Sequence, residues 1–436
     1  MTPQATALRF GPSEGWRYGL LGLPLAFVAL PLYVLLPHHY ATVLGVPLAL
    51  LGGVLLAARL LDAFVDPLIG RWVDRLFDRD ARHVLRWGAV AALVLALGFA
   101  LLFFPPVREV GALLAWAAAT LTLTYLAFST VTVAHQSWGA RLGGDEAQRA
   151  RIVGWREGLG VAGVLVASVA PTAVGLPATT ALFACLLAAG WIAWRRSPLP
   201  ATAPGPAPQS DPWLPLRRRA YRRLLAIFML NGTASAVPAT LVLFFIQDRL
   251  EAPRSWEPAF LGLYFLCAAA SLPLWLALVR RAGLARSWLA GMALAISSFI
   301  WTLTLGAGDG AAFLFVCAAS GLALGADLAL PGALLAGLIQ EAGDRGRHEG
   351  AYFGWWNFAT KLNLALAAGL ALPLLELAGY TPGTRAAGAL DALSFAYGLL
   401  PCLLKLLAAA GLYLAFIRTP GPAHGVTPST ATEHRP

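Results

Sequence analysis

The chain has 436 residues, of which 58% are hydrophobic and 12% are charged, and its mean hydropathy is +0.68. Soluble domains carry about 25% charged residues, so this composition excludes an ordinary soluble domain and indicates an integral membrane protein. The net charge of +10 does not indicate nucleic-acid binding, because the arginines lie in short loops between apolar segments.

Twelve apolar segments are long enough to cross about 30 Å of hydrocarbon as helices. The predicted spans are 18–40, 43–69, 87–105, 111–134, 153–174, 178–195, 223–247, 259–279, 287–306, 311–339, 352–378 and 391–417. A break rich in Pro and Ala separates the sixth from the seventh and ends in a cluster of arginines, namely Arg217, Arg218, Arg219, Arg222 and Arg223. This pattern predicts an all-α polytopic protein with two six-helix lobes, as in secondary transporters.

The spans also divide the chain into segments. We predict a cytoplasmic N-terminus, an N-terminal lobe, a cytoplasmic linker, a C-terminal lobe and a disordered cytoplasmic tail at 1–17, 18–196, 197–222, 223–418 and 419–436.

The loop arginines predict the orientation. Of the 32 Lys and Arg residues, only four fall in segments that the twelve spans place outside, namely Arg108, Arg249, Arg254 and Arg385. Nearly all the others share a side with both termini. Because loops rich in Lys and Arg stay in the cytoplasm, we expect cytoplasmic termini and a multi-pass protein of the plasma membrane, in a bacterial inner membrane.

The second span carries two acids. Asp62 and Asp66 are four residues apart, so they share one helical face, and Arg59 lies on that face three residues before Asp62. Two carboxylates this close resist double ionisation, so the pair can hold a proton or share a cation. The alternatives are that Asp66 only ends the helix and that Asp62 only neutralises Arg59.

Other polar residues within or beside the spans are candidates for contacts with a solute. A charge at the bilayer centre costs about 2.5–3.5 kcal/mol, so such residues pair or line a watery cavity. Asp327 and Lys361 could pair with each other, and a lone helical His such as His135 is more often a packing residue. Lys405 is left unassigned. The candidates are Arg156, Lys361, Asp327, His135, Gln136, Trp138, Trp356 and Asn357.

The string ARLLDAFVDPLIG, from Ala58 to Gly70, resembles the second-span signature of the glycoside–pentoside–hexuronide:cation symporters. These form the melibiose-permease branch of the major facilitator superfamily. The string GRWVDR, from Gly70 to Arg75, resembles the general superfamily motif between spans two and three. The resemblance covers residues 16–418 and implies twelve helices in two lobes around a central cavity.

The resemblance also implies roles for particular residues. In that family the second-span acids and a Thr of the fourth span bind Na⁺, Li⁺ or H⁺, and the matching positions here are Asp62, Asp66 and Thr130. Arg156 matches a substrate-lining Arg, and Lys361 matches a functional Lys. The Asp/Arg pair of the loop motif helps to lock the outward-open state. The resulting structural or gating candidates are Arg59, Gly70, Asp74 and Arg75.

Two departures from the family pattern bear on the cargo and the ion. Val65 stands where the family often has an Asn that helps to fix the sodium preference. Losing an oxygen ligand weakens a sodium site but costs a proton site nothing, so H⁺ is favoured over Na⁺ as the coupling ion. The first span has no acid in residues 22–27, and the fourth has His135 and Gln136 in place of an acid and a Pro. Melibiose itself is therefore not expected, whereas an anionic or polar solute such as a hexuronide suits Arg156 and Lys361.

The sequence thus predicts a secondary active transporter that couples symport of a sugar, glycoside or uronide-like solute to a cation by alternating access. A lipid or amphiphile carrier, or an exporter of the same fold, is the alternative. We expect a monomer in membrane lipid whose partners are a small solute and the coupling cation, with no nucleic acid, cofactor or metal site. An enzyme is not expected, because the one adjacent histidine pair, His38 and His39, lies at an outer loop.

Overall fold

The computed structural model describes residues 10–200 and 211–418. The predicted tail, and parts of the predicted N-terminal segment and linker, lie outside the described residues.

The first lobe is built from long helices joined by short loops. Its helices are α1 (Pro12–Thr42), α2 (Leu48–Arg79), α3 (Ala81–Phe103), α4 (Val110–Leu142) and the 50-residue helix Glu146–Arg195. Gly175 interrupts the last of these with φ 77° and ψ 166°, a conformation that suits a residue without a Cβ. It divides the helix into α5 (146–174) and α6 (176–195), at the predicted boundary between the fifth and sixth spans.

The second lobe follows a short linker helix, Leu214–Arg217. Its helices are α7 (Arg219–Arg249), α8 (Arg254–Ala282), α9 (Leu284–Thr304), α10 (Gly310–Glu341), α11 (Glu349–Leu377) and α12 (Ala387–Ile417). Over the described ranges, nine helices qualify by length and composition to cross a membrane, with α5 and α6 counted as one. The other two long helices are α2 and α11, which carry the charged residues singled out above. With α5 and α6 counted separately, all these helices together correspond to the twelve predicted spans.

One turn of α1 departs from regular helix. Residues Pro31–Leu35 form a π-helical turn that contains Tyr33. Pro31 lacks the N–H that a regular turn would use, so a local change of hydrogen-bonding pattern is expected there. Turns of this kind are frequent at functional sites.

The lobes meet through α2 and α4 on one side and α11 on the other, and through α5 against α8 and α10. Close approach depends on glycine: a Cβ on Gly70 would clash with the Gly350 carbonyl oxygen, and a Cβ on Gly354 would lie 2.6 Å from the Asp66 carbonyl oxygen. Gly70 therefore permits close contact between the two lobes. These contacts bring the backbones of α2 and α11 together.

Helices α2, α4, α8 and α10 all end on the same side of the bundle. We call this side the arginine-rich end. Among the described residues, every polar contact between the lobes lies between the level of Lys361 and this end. The polar contacts that join the lobes therefore lie on the arginine-rich side of the interface, and the part of the interface beyond Lys361, which we call the cleft, has none among the described residues.

Candidate functional site

A four-residue cluster joins the two lobes at mid-depth. The Nζ atom of Lys361, on α11, lies 2.7 Å from Asp62 Oδ2 and 2.7 Å from Asp66 Oδ2, both on α2. It also donates a hydrogen bond to the Ser129 hydroxyl of α4 at 2.8 Å, and that hydroxyl donates to Asp62 Oδ1 at 2.7 Å. The predicted acid pair and the predicted lysine are thus one contact between α2, α4 and α11.

The charge balance of this cluster is uneven. Asp62 and Asp66 are 4% and 0% exposed, and with both acids ionised the ammonium of Lys361 leaves a net charge of −1. Asp66 Oδ2 contacts the Lys361 ammonium, which Asp66 shares with Asp62. A buried ionised carboxylate whose charge is only partly balanced is costly. The cluster can therefore take up one more positive charge, and a proton is the smallest that fits.

Arg59 does not take part in this cluster. Its guanidinium lies over the ring of Tyr33, with Cζ 4.4 Å from the ring centroid. Since Asp62 pairs with Lys361 instead, the alternative in which Asp62 only neutralises Arg59 is wrong for this structure.

Asp327 and Lys361 do not pair with each other. Asp327 Oδ2 lies 2.7 Å from Nζ of Lys405 on α12, and its Oδ1 accepts from Trp288 Nε1 at 2.8 Å. Lys405 also donates to Asn231 at 2.8 Å. This second cluster belongs wholly to the second lobe and borders a cavity of about 60 Å³.

Arg156 lies on α5 in a narrow crevice between the lobes. Its Nη2 atom is 2.7 Å from Glu157 Oε1, and its side chain is 11% exposed. Tyr18, Gln136 and Phe353 line the same crevice. Arg156 is therefore at the interface, as a substrate contact requires, but it already has a carboxylate partner.

Gln136 and Asn357 meet across the interface, where the Asn357 side-chain amide donates to Gln136 Oε1 at 3.0 Å. Trp356 stacks on Phe228 of its own lobe at 3.7 Å between ring centroids. Gln136 and Asn357 are thus placed where a solute passing between the lobes could reach them.

His135 and Trp138 lie inside the first lobe. Both are 0% exposed. A ring nitrogen of His135 is 2.8 Å from the Tyr18 carbonyl oxygen, and Trp138 Nε1 donates to the Pro198 carbonyl at 3.0 Å. In this structure they are packing residues, and the substrate role predicted for them does not match where they lie.

A second set of contacts closes the arginine-rich end. Asp74 of α2 accepts from the backbone N–H groups of Gly350 and Ala351 at 2.7 and 2.8 Å, at the start of α11. The free N–H groups of a helix start favour a carboxylate. Arg141 of α4 lies 3.0 Å from Asp74 and 3.1 Å from Glu349. These contacts, all buried, connect the two lobes.

Asp74 of the loop motif therefore pairs with a different arginine from the one expected. Arg75 is exposed, whereas Arg141 occupies the position beside Asp74. The expected Asp74–Arg75 pair is wrong, because successive residues of a helix point in directions about 100° apart and Arg75 faces away from the interface.

Burial lowers the pKa of His348 in the adjoining loop, so that its ring adds no positive charge beside Arg141 near neutral pH.

Comparison with known proteins identifies the family. The family described as MFS/sugar transport protein matches residues 17–418. This chain belongs to that family. Its members are transporters, so the chain is a multi-pass membrane transporter and not an enzyme, as predicted.

Individual relatives match over shorter stretches. YagG of Escherichia coli (strain K12), named as a candidate glycoside/cation symporter, is 31% identical over 35% of this chain and 33% of its own length. The inner membrane symporter YicJ of the same organism is 28% identical over 36% of this chain and 33% of its own length. The matches thus span about a third of these two transporters.

Solved structures show the same fold at low identity. A bacterial homologue of the iron transporter ferroportin, in an outward-facing state, gives a TM-score of 0.71 at 15% identity, over 92% of this chain and 99% of that one. The fucose:proton symporter FucP of Escherichia coli gives 0.63 at 13% identity, over 92% and 97%. These likenesses confirm the predicted twelve-helix, two-lobe fold of the transporter.

Several polar residues of this transporter were not singled out from its sequence. Ser129, and not the predicted Thr130, contacts Asp62; Thr130 is half-buried one position along α4. Arg141 and Glu349 lie at helix ends, where charges are common, so their residue types alone do not mark them as functional. An available signal was that Glu349 is an acid just before the predicted span 352–378.

Proposed function

We propose that this transporter is a proton-coupled symporter of a sugar, glycoside or uronide-like solute and works by alternating access. The observation that carries the proposal is the position of Lys361 between Asp62 and Asp66, with the ammonium and the acids on opposite lobes.

The cluster offers a link between ion binding and lobe movement. A proton on Asp66 removes one of the two attractions that hold Lys361 against α2, so ion loading changes a contact that joins the lobes. A ligand shifts a conformational equilibrium only by binding the two states differently, and this contact gives the proton such a difference.

The cluster favours a proton over sodium. The Lys361 ammonium already lies between the carboxylates, where a metal cation would have to contact both. Sodium needs several oxygen ligands, and the half-buried Val65 supplies none. A proton needs only one carboxylate oxygen, and Asp66 shares its one cation with Asp62.

The direction of the cleft fits uptake. If the arginine-rich end faces the cytoplasm, as the loop charges predict, the cleft opens outward and both termini are cytoplasmic. The names of YagG and YicJ, which include the word symporter, support symport in a bacterial inner membrane. Each entering proton supplies about 2.3 kcal/mol per 100 mV, enough for about fiftyfold accumulation of a neutral solute. We propose a monomer in lipid.

Uptake into vesicles tests the proposal. Right-side-out and inverted vesicles are given a panel of labelled sugars, glycosides and uronides under an imposed pH gradient, a membrane potential or a sodium gradient. We expect accumulation of at least one solute to follow the pH gradient and to be indifferent to sodium. Accumulation that needs no gradient would refute symport, and stimulation by sodium alone would refute the choice of proton.

A matched pair of variants tests the cluster itself. Asp66→Asn should abolish accumulation against a gradient while leaving exchange of the same solute in place, because the variant resembles a permanently protonated carrier. Asp391→Asn removes a carboxylate whose side chain is 72% exposed and whose nearest ion-pair partner, Arg249, is 3.6 Å away. It should accumulate solute normally; equal behaviour of the two variants would contradict the role of Asp66.

A further inference from the structure

We propose that Arg59, with Tyr33 and Tyr125, forms a subsite that binds the carboxylate of a sugar acid. The inference rests on the symport function proposed above and narrows its solutes to anionic sugars. It assigns recognition of the anion to Arg59 instead of Arg156 and Lys361.

The partners of the basic residues within the spans point to Arg59. Arg156, Lys361 and Lys405 each lie 2.7 Å from a carboxylate of this chain. Arg59 has no carboxylate within ion-pair distance among the described residues, and its guanidinium contacts the ring of Tyr33. A membrane-embedded cation normally pairs or faces a watery cavity. Of these four, Arg59 is the one whose charge no neighbouring acid balances.

Arg59 also lies where a solute would arrive. It is three residues before Asp62 on the same face of α2, one turn beyond the cluster on the side away from the arginine-rich end. Its side chain is exposed, and among the described residues the lobes make no polar contact at this level. A solute entering the cleft would therefore meet Arg59 before it reached the Asp62–Lys361 contact.

The surroundings of Arg59 suit a carboxylate. The ring of Tyr33 covers one face of the guanidinium at 4.4 Å and leaves the N–H edge for a planar acceptor. Tyr33 lies in the π-helical turn of α1, which places its ring beneath the guanidinium. The hydroxyl of the adjoining Tyr125 is buried and lies beside the guanidinium of Arg59. Together they offer a charge-assisted, two-point contact and one further donor.

A pair of solutes that differ only in charge tests the subsite. Binding of methyl β-glucuronide and methyl β-glucoside is measured by titration calorimetry on the purified protein in detergent. We expect the intact protein to bind the glucuronide at least about tenfold more tightly, the size of one charge-assisted contact. Arg59→Gln should bring the two affinities to within about twofold, and Arg59→Lys should keep part of the preference. Arg108→Gln, which removes an exposed loop arginine, should keep all of it.

The outcomes separate this inference from the symport proposal. No preference for the glucuronide in the intact protein, no binding of it at all, or an undiminished preference in Arg59→Gln would each overturn the subsite. Elution of each variant as a single species in size-exclusion chromatography establishes that a loss reflects binding and not folding. If the intact protein takes up an uncharged solute with protons but does not bind the glucuronide, the symport proposal is supported and the subsite is refuted.

Discussion

Two lysine–aspartate contacts within the membrane part of this transporter have the same length but different surroundings. Lys405 Nζ lies 2.7 Å from Asp327 inside the second lobe. Lys361 Nζ lies 2.7 Å from Asp62 and 2.7 Å from Asp66 and joins the two lobes.

The difference is in how completely the charges are matched. Asp327 is hydrogen-bonded through both oxygens, and Lys405 has polar neighbours in Asn231 and Ser235 as well. The acids around Lys361 outnumber it by one, because the ammonium is shared between Asp62 and Asp66. The contact inside a lobe is thus suited to hold helices in place, and the contact between lobes is suited to exchange a partner.

The largest expected effect comes from breaking the contact inside the lobe. Lys405→Met leaves Asp327 with a buried charge and no cation, which should lower the free energy of unfolding by about 3–5 kcal/mol. Thermal unfolding of the purified protein in detergent, followed by intrinsic tryptophan fluorescence, measures the loss.

The double variant Lys405→Met with Asp327→Asn provides the control. It removes both charges and keeps an acceptor for Trp288, so it should recover most of the lost stability. A double variant as unstable as the single one would show that packing of the lysine stem, and not charge pairing, is what Lys405 contributes.

A smaller loss of stability is expected at the contact between the lobes. Lys361→Met should lower the free energy of unfolding by less than Lys405→Met does, because a proton can take the place of the ammonium beside the two acids. The loss should grow as the pH rises, since fewer protons are then available. The same thermal measurement, repeated between pH 5 and pH 8, gives the comparison.

Transport by the two lysine variants sharpens the contrast. Lys361→Met should fold but lose proton-driven accumulation, whereas any Lys405→Met that folds should retain coupling. Coupling that survives in Lys361→Met and disappears in folded Lys405→Met would reverse the roles assigned to the two clusters.

The fold was largely predictable, because each span is an apolar segment with a visible end. Even the break within the 50-residue helix fell where Gly175 precedes Pro177. It was harder to predict from the sequence which polar residues pair with each other. Hydropathy places Asp327 at a depth in the membrane but does not say which helices surround it, so Lys361 was as reasonable a partner as Lys405.

Rotation of a helix about its axis is also hard to read from sequence. Ser129 and Thr130 differ by about 100° around α4, which is buried on several sides, so no apolar stripe distinguishes the residue that faces Asp62. The same uncertainty separates Arg75 from Arg141 as the partner of Asp74. The identities of Asp62, Asp66 and Lys361 could be predicted because each is an unusual residue for a membrane span.

The Asp74 contact at the arginine-rich end shares one feature with the Lys361 contact and another with the Lys405 contact. Asp74 joins the lobes, as Asp62 does, but both its oxygens are hydrogen-bonded, as those of Asp327 are. We expect Asp74→Asn to increase the population of molecules open at the arginine-rich end by about tenfold, or about 1.4 kcal/mol, within the range for loss of one charged hydrogen bond.

Spin labels at positions 79 and 341, one on each lobe, report that opening as a longer distance in double electron–electron resonance. The four cysteines are first replaced by serine so that only these positions are labelled. Arg75→Gln is the control, because Arg75 is exposed and Arg141 is the arginine beside Asp74. An unchanged distance distribution in Arg75→Gln, together with a shift in both Asp74→Asn and Arg141→Gln, would establish that Asp74 and Arg141 hold this end closed. A shift in Arg75→Gln as large as that in Asp74→Asn would instead indicate that Asp74 and Arg75 together hold this end closed.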